Sequence, residues 1–111
     1  MKKIIVFTFL LFHCLSYGQV PKSLDSLKVF IQTKPKDTTY VLALKDYAFF
    51  MVMEGKFVEA NKAIGQMQTL SNKFNYGAGF YNIMYMKGVV EYSNQNSKKA
   101  MYYFLEGNKI I

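Results

Sequence analysis

A chain of 111 residues with a formal net charge of +7 is one domain at most, and its positive balance rests wholly on lysine. Arginine is absent, which excludes bidentate guanidinium recognition of phosphate, carboxylate or guanine. The single cysteine and single histidine both lie near the N-terminus, at Cys14 and His13.

That N-terminus reads as a leader. Lys2 and Lys3 precede an apolar run from Ile4 to Leu15, and Ser16-Tyr17-Gly18 closes it with small residues at the two places a signal peptidase reads. The run is too short for a membrane span, which needs roughly 20 apolar residues. The pattern therefore predicts a cleaved secretory signal over 1–18, with an uncleaved anchor or a buried helix as the alternative. Phe12 and His13 stand where a lipoprotein signal needs small residues, so Cys14 is not expected to carry a lipid. Cleavage after Gly18 would leave Gln19 to Ile111, without Cys, His, Arg or Trp. The loss of Lys2 and Lys3 would lower the net charge from +7 to +5. Such a chain has no thiol nucleophile, no imidazole base and no zinc site of the usual ligands. It has no histidine to accept a phosphate, and no disulfide to support an exported fold. Its core must come from aliphatic and aromatic side chains, and aromatics make up 17% of the sequence.

Residues 19–37 form a leading segment. Ser23 is placed to cap a short helix with Leu24, Leu27, Phe30 and Ile31 at helical spacing. Lys34-Pro35 stops it near Thr33, because the residue before a proline disfavours helix. Lys36-Asp37-Thr38-Thr39 offers several N-caps for a second helix over 38–54, striped by Val41, Leu44, Ala48, Met51 and Val52. Gly55 ends it as a left-handed cap. A third helix runs over 57–73 with Ala60, Ile64, Met67 and Leu70 inside. Asn72 to Gly79 reads as a polar, glycine-bearing turn. A fourth helix covers 79–93 with Phe80, Ile83, Met84 and Val90, and Ser93-Asn94-Gln95-Asn96 breaks it. Ser97 is expected to cap a fifth helix through Ala100, Met101, Phe104 and Ile110. The predicted fold class is all-α: antiparallel helical hairpins stacked as a short solenoid, with a leading helix.

The two hairpins, 38–73 and 79–111, can be laid in register. Ala48 aligns with Gly88 and Ala60 with Ala100, so each hairpin holds two small residues at the same separation. Antiparallel helices that cross closely need such residues at the crossing. This pattern resembles the tetratricopeptide repeat, in which helix A carries a small residue and helix B carries an alanine, an aromatic and a second small residue. Gly88, Ala100, Phe104 and Gly107 match that set in the second copy. Ala48, Gly55, Phe57 and Ala60 match it in the first. Met67 departs where a small residue is usual, and Lys87 departs where leucine is usual. The offset from Ala48 to Gly88 also exceeds the customary period of about 34. The resemblance covers 38–111. More narrowly, DSLKVFIQTKPKDTTYVLALKDYAFF at 25–50 is similar to the opening of exported bacterial regions of this family, many of which lead into a membrane helix and histidine kinase or into a helix-turn-helix regulator.

The resemblance implies a non-catalytic module that binds a protein or peptide in a groove lined by the A helices. Transferred residue by residue, the groove candidates are Lys45, Phe49 and Val52 in the first copy and Asn82, Tyr85, Val89 and Tyr92 in the second. Phe49 and Val89 read equally well as core. A clamp for a C-terminal carboxylate is not expected, because Phe49 and Met86 occupy places that need asparagine. The alternative implication is the N-terminal sensor part of a larger signalling protein. Stacked repeats need about three copies for stability, so the end of the second copy is expected to meet further repeats or a second molecule. The lysines are scattered rather than clustered, so no nucleic-acid partner is expected. The acids Asp37, Asp46, Glu54, Glu59, Glu91 and Glu106 are dispersed, so no catalytic carboxylate pair, metal or cofactor is expected. Gly77-Ala78-Gly79 follows no strand and is no phosphate loop. The expected location is periplasmic or secreted, with no membrane span left after cleavage.

Overall fold

The computed structural model describes residues 20–110, so the leader reading, with Cys14 and His13, lies outside the described residues. Five helices follow one another: α1 Leu24–Thr33, α2 Thr38–Met53, α3 Phe57–Phe74, α4 Gly77–Ser93 and α5 Ser97–Asn108. The all-α expectation holds among the described residues, and consecutive helices pack antiparallel across short turns.

Each helix starts and stops for local reasons. The Ser23 hydroxyl accepts a bond from the Ser26 N–H at 3.2 Å and caps α1. Pro35 prevents α1 from continuing. The Asp37 carboxylate accepts from the Tyr40 N–H at 3.1 Å and caps α2. Tyr40 then ties the two helices together. Its hydroxyl donates to the Ile31 carbonyl at 2.8 Å, one of the α1 carbonyls without an intrahelical partner. Leu27 is the fully buried residue of α1, and α1 packs on α2 alone.

The next three turns are built alike and evenly spaced along the chain. The N–H of Lys56, Tyr76 and Asn96 reaches back to the carbonyl of Met51, Ser71 and Glu91 at 2.8, 2.9 and 2.8 Å. The N–H one position earlier, at Gly55, Asn75 and Gln95, bonds the carbonyls of Val52, Asn72 and Tyr92 at 3.0, 3.3 and 3.0 Å. This double bond is the Schellman ending, and it requires a left-handed residue between the helices. Gly55, Asn75 and Gln95 hold φ of +75°, +48° and +65°. Glycine adopts that region freely and asparagine tolerates it, while glutamine is strained there. The Asn96 side chain supports the last turn by donating to the Glu91 carboxylate at 2.8 Å.

Two expectations about boundaries change. Residues 72–79 do not form a polar turn. α3 runs on to Phe74, only Asn75 and Tyr76 separate the helices, and Gly77-Ala78-Gly79 is the first turn of α4. The residues expected to form a turn between the two hairpins are therefore mostly helix. The physical reason is the left-handed Asn75, which ends a helix as sharply as a glycine. Ser97 is not the cap of α5. Asn96 holds that place, without a side-chain bond to the helix.

The core runs through α2, α3 and α4. α2 and α3 pair, α4 packs on both of them, and α5 packs on α4. Val41, Leu44, Ala48, Ile64, Met67, Ile83 and Met86 are all buried in it. α2 is apolar on nearly every side, as a helix covered by several neighbours must be. Its one charged pair, Lys45 and Asp46, closes on itself at 3.2 Å.

The small residues do more than permit a crossing. A methyl on Gly88 would run into the ring of Phe104, so the ring lies against the bare backbone of α4. The equivalent pair in the first copy is Ala48 with Ile64, both buried. One copy combines the smallest residue with an aromatic, and the other combines alanine with an aliphatic side chain. A similar exchange occurs one step along. Gly107 lies beside Tyr81 and Met84, where the first copy has Met67 with Val41 and Leu44. Met67, a departure from the family pattern, stands at the position of Gly107 and Val41 at that of Tyr81, so the larger and smaller residues change places between the hairpins. Lys87, the other departure, sets its ammonium 5.9 Å from the centre of the Tyr103 ring. Gly79 is also needed for space, since a methyl there would collide with the buried Ser71 side chain on α3.

This packing can be tested by exchange. Gly88→Ala alone should cost about 1–3 kcal/mol, and Phe104→Ile alone about 1–2 kcal/mol. The double variant rebuilds the pair of the first copy. It should be more stable than the sum of the single effects by at least about 1 kcal/mol in urea unfolding, and strict additivity would show that the two residues are not one packing unit. Tyr40→Phe should cost about 1 kcal/mol through the lost bond to Ile31. Burial pushes the Tyr40 phenol above its ordinary value of 10.0. The folded state thus keeps the proton to higher pH than the unfolded state does. This contribution is complete below about pH 10 and is lost as pH rises past it. The Phe variant should lose less stability between about pH 9 and 11 than the parent, and parallel alkaline profiles would remove Tyr40 as the cause.

Candidate functional site

The groove candidates divide when placed on the structure. Asn82, Tyr85, Val89 and Tyr92 recur at helical spacing along one face of α4. Lys45, Phe49 and Val52 do the same on α2, and the two helices pack side by side. Phe49 and Tyr85 are each 41% exposed and Tyr92 is 69% exposed. These three aromatics can meet a ligand. Val52 cannot in this state. It is 5% exposed and belongs to the core that α2, α3 and α4 share. Val89 is half-buried against the core and serves packing at least in part.

The polar candidates are committed locally. Lys45 pairs with Asp46 at the surface, a contact of little energetic weight. The Asn82 amide donates to the Ala78 carbonyl of its own helix at 2.7 Å. Its oxygen is the group left to accept from a ligand. Tyr85 rests beside Phe104 with ring centres 5.9 Å apart, so the α4 face continues onto α5 through an aromatic contact. The arrangement offers rigid aromatic area with few polar anchors, which suits a helix or extended segment rather than a reacting small molecule.

Sequence reasoning expected a contact at the end of the second copy, but it placed Met101 on the inward stripe of the fifth helix and did not assign Tyr102 or Leu105 to a surface. Met101, Tyr102 and Leu105 on α5 are 54–59% exposed. Their counterparts on α3 are Asn61, Lys62 and Gly65. The signal was present in the register: a repeat that keeps its core turns its outer face from polar to apolar in the second copy. Met53 at the end of α2 is exposed as well and was not singled out.

No family model, no curated protein and no solved structure matches the chain. The site therefore rests on its own geometry. Among the described residues, no group of three or more His, Cys, Asp or Glu side chains could hold a metal ion. No described helix is long and apolar enough to cross a membrane. The carboxylates that have partners are engaged in short surface contacts, such as Glu106 with Lys109 at 2.9 Å. That hydrogen bond, with the charge behind it, raises the Lys109 ammonium above its ordinary value.

Proposed function

We propose that this chain is an exported, non-catalytic interaction module of the tetratricopeptide type, which holds a protein or peptide segment on the joint face of α2 and α4. The observation that carries the reading is the turn geometry. The same pair of backbone bonds recurs at Gly55 and at its counterpart Gln95 in the second hairpin, and each turn joins helices that begin in matching register. α4 rests on both α2 and α3, which is how one helical hairpin stacks on another. Such stacking leaves the first helix of each hairpin on a shared face, and that face exposes Phe49, Tyr85 and Tyr92. The leader pattern over 1–18 supports export to the periplasm or beyond. Neither a thiol nor an imidazole remains after cleavage, which supports a binding role over a catalytic one.

A selection of random peptides on the folded protein tests this reading. Enriched peptides should lose at least about tenfold in affinity with Phe49→Ser, Tyr85→Ser and Tyr92→Ser combined. Met101→Ser should leave their affinity unchanged. Enrichment of nothing, or binding that survives the triple variant, would remove the α2–α4 face as the site.

The end of the second hairpin supports a further contact. Val52, Ile64 and Leu70 are buried in the first copy, while their counterparts Tyr92, Phe104 and Ile110 are exposed or half-exposed. Tyr92, Phe104 and Ile110 supply a surface for further repeats, as in the sensor region of a larger signalling protein, and together with the neighbouring outer-face residues Met101, Tyr102 and Leu105 they supply one for a second copy. Sedimentation should show an association that strengthens with concentration and is abolished by Met101→Lys with Leu105→Lys. A monomer up to about 100 μM, weaker than a Kd of that size, would assign the surface to something other than a second copy.

A further inference from the structure

The outer side of α3 carries a glycine that packing does not explain. Gly65 lies in the middle of α3, where glycine is a poor choice. Gly79, Gly88 and Gly107 each face a side chain that a methyl would press upon, but a methyl on Gly65 would meet nothing within 4 Å. Gly65 has ordinary helical geometry, since Gly55 is the glycine with positive φ among the described residues. Neither close approach nor backbone conformation requires it.

What the missing side chain leaves is a groove. Gly65, Gln66, Thr69 and Leu70 of α3 and Tyr40 at the start of α2 line a volume of about 370 Å³, to which Lys62 and Lys36 also contribute. The antiparallel pairing of α2 and α3 brings the first turn of α2 to the C-terminal half of α3, and the α1–α2 turn carries Lys36 over it. Tyr40 and Leu70 are buried and give the groove an apolar floor. The Tyr40 hydroxyl is spent on the Ile31 carbonyl, and the Thr69 hydroxyl on the Gly65 carbonyl at 3.2 Å. Neither lysine is within ion-pair distance of a carboxylate among the described residues, and no acid lines the groove.

We propose that this groove binds a small amphiphilic carboxylate: an apolar body over Gly65, Leu70 and the Tyr40 ring, with the carboxylate between Lys62 and Lys36. Two unpaired cations at the edge of an apolar floor complement that ligand in charge and in polarity. A multiply charged phosphate without an apolar part would leave the floor wet. A neutral apolar ligand would leave the lysines without a role. α5 carries Leu105 at the position of Gly65 and Tyr102 at that of Lys62, so it has neither the missing side chain nor the cation. The site shares no residue with the α2–α4 face, so it stands or falls independently of the peptide-binding reading.

The test is a titration of the ¹⁵N-labelled full chain with hexanoate, followed by amide shifts, with hexan-1-ol at equal concentration as the neutral control. Hexanoate should move the amides of Gly65, Thr69 and Leu70 in a saturable way, and hexan-1-ol should not. Lys36→Gln and Lys62→Gln should each weaken binding about fivefold. Gly65→Leu borrows the residue of α5 and has open space to occupy, so it should stay folded and lose binding altogether. N-acetyl-leucine presents the same chemistry as a peptide C-terminus. Tighter binding than hexanoate would assign the natural ligand to a chain end, and weaker binding would assign it to a free acid. No saturable shift at these amides, equal shifts from hexan-1-ol, or undiminished binding by Gly65→Leu would overturn the proposal.

Discussion

Paired backbone hydrogen bonds at three successive turns set the path of the chain from residue 38 to residue 108. Each pair closes a helix at a left-handed position and releases the chain directly into the next helix. Helices joined this tightly have no freedom to splay, so they return antiparallel and bury the faces they share. The turns at Gly55, Asn75 and Gln95 recur at one even interval, so they fix helix length, and the hairpin period is twice that interval. A longer, looser connection at any of the three would uncouple the helix faces that build the core.

Within that frame, packing is preserved between the copies as a sum rather than position by position. Gly88 with Phe104 answers Ala48 with Ile64, and Gly107 with Tyr81 answers Met67 with Val41. Interiors are close-packed, so a ring gained on one helix needs volume surrendered on its neighbour. The result is two hairpins with like turns and unlike cores. This exchange also explains why similarity between the copies is faint in the letters. A residue-by-residue comparison scores each member of a pair as a mismatch, although the paired positions are buried in the first hairpin and close together in the second.

Helix positions were legible in the sequence because their signals are local. Ser23, Pro35, Asp37 and Gly55 each act on the backbone close by, and the structure places helix ends at all four. The ending at Asn75 was misread because polar residues and glycines over 72–79 look like a loop, and only the helix interior shows that Gly79 is there for contact with Ser71. In the sequence Val52 belongs both to the apolar stripe of its helix and to the groove candidates, since its spacing suits either, and its burial decides for the stripe. The candidate groove was therefore only partly legible: Phe49, Tyr85 and Tyr92 lie open together on α2 and α4, and Val52 and Val89 turn inward to different degrees. Sequence periodicity identifies a stripe, but which neighbour covers the stripe is decided by tertiary packing.

The two hairpins thus share the bonding of their turns and differ in what they show to solvent. α3 presents Asn61, Lys62 and the bare backbone of Gly65, and α5 presents Met101, Tyr102 and Leu105 at the same places. Divergence in a core is constrained by volume, so the exchanges there compensate. Divergence on an outer face carries no such constraint, and successive polar-to-apolar changes along one helix add exposed apolar area that folding does not recover. A surface of that kind persists at no cost only when something covers it. The outer faces of α3 and α5 therefore differ in the extent of their apolar area: α3 exposes Val58 among polar residues, and α5 exposes Met101, Tyr102 and Leu105.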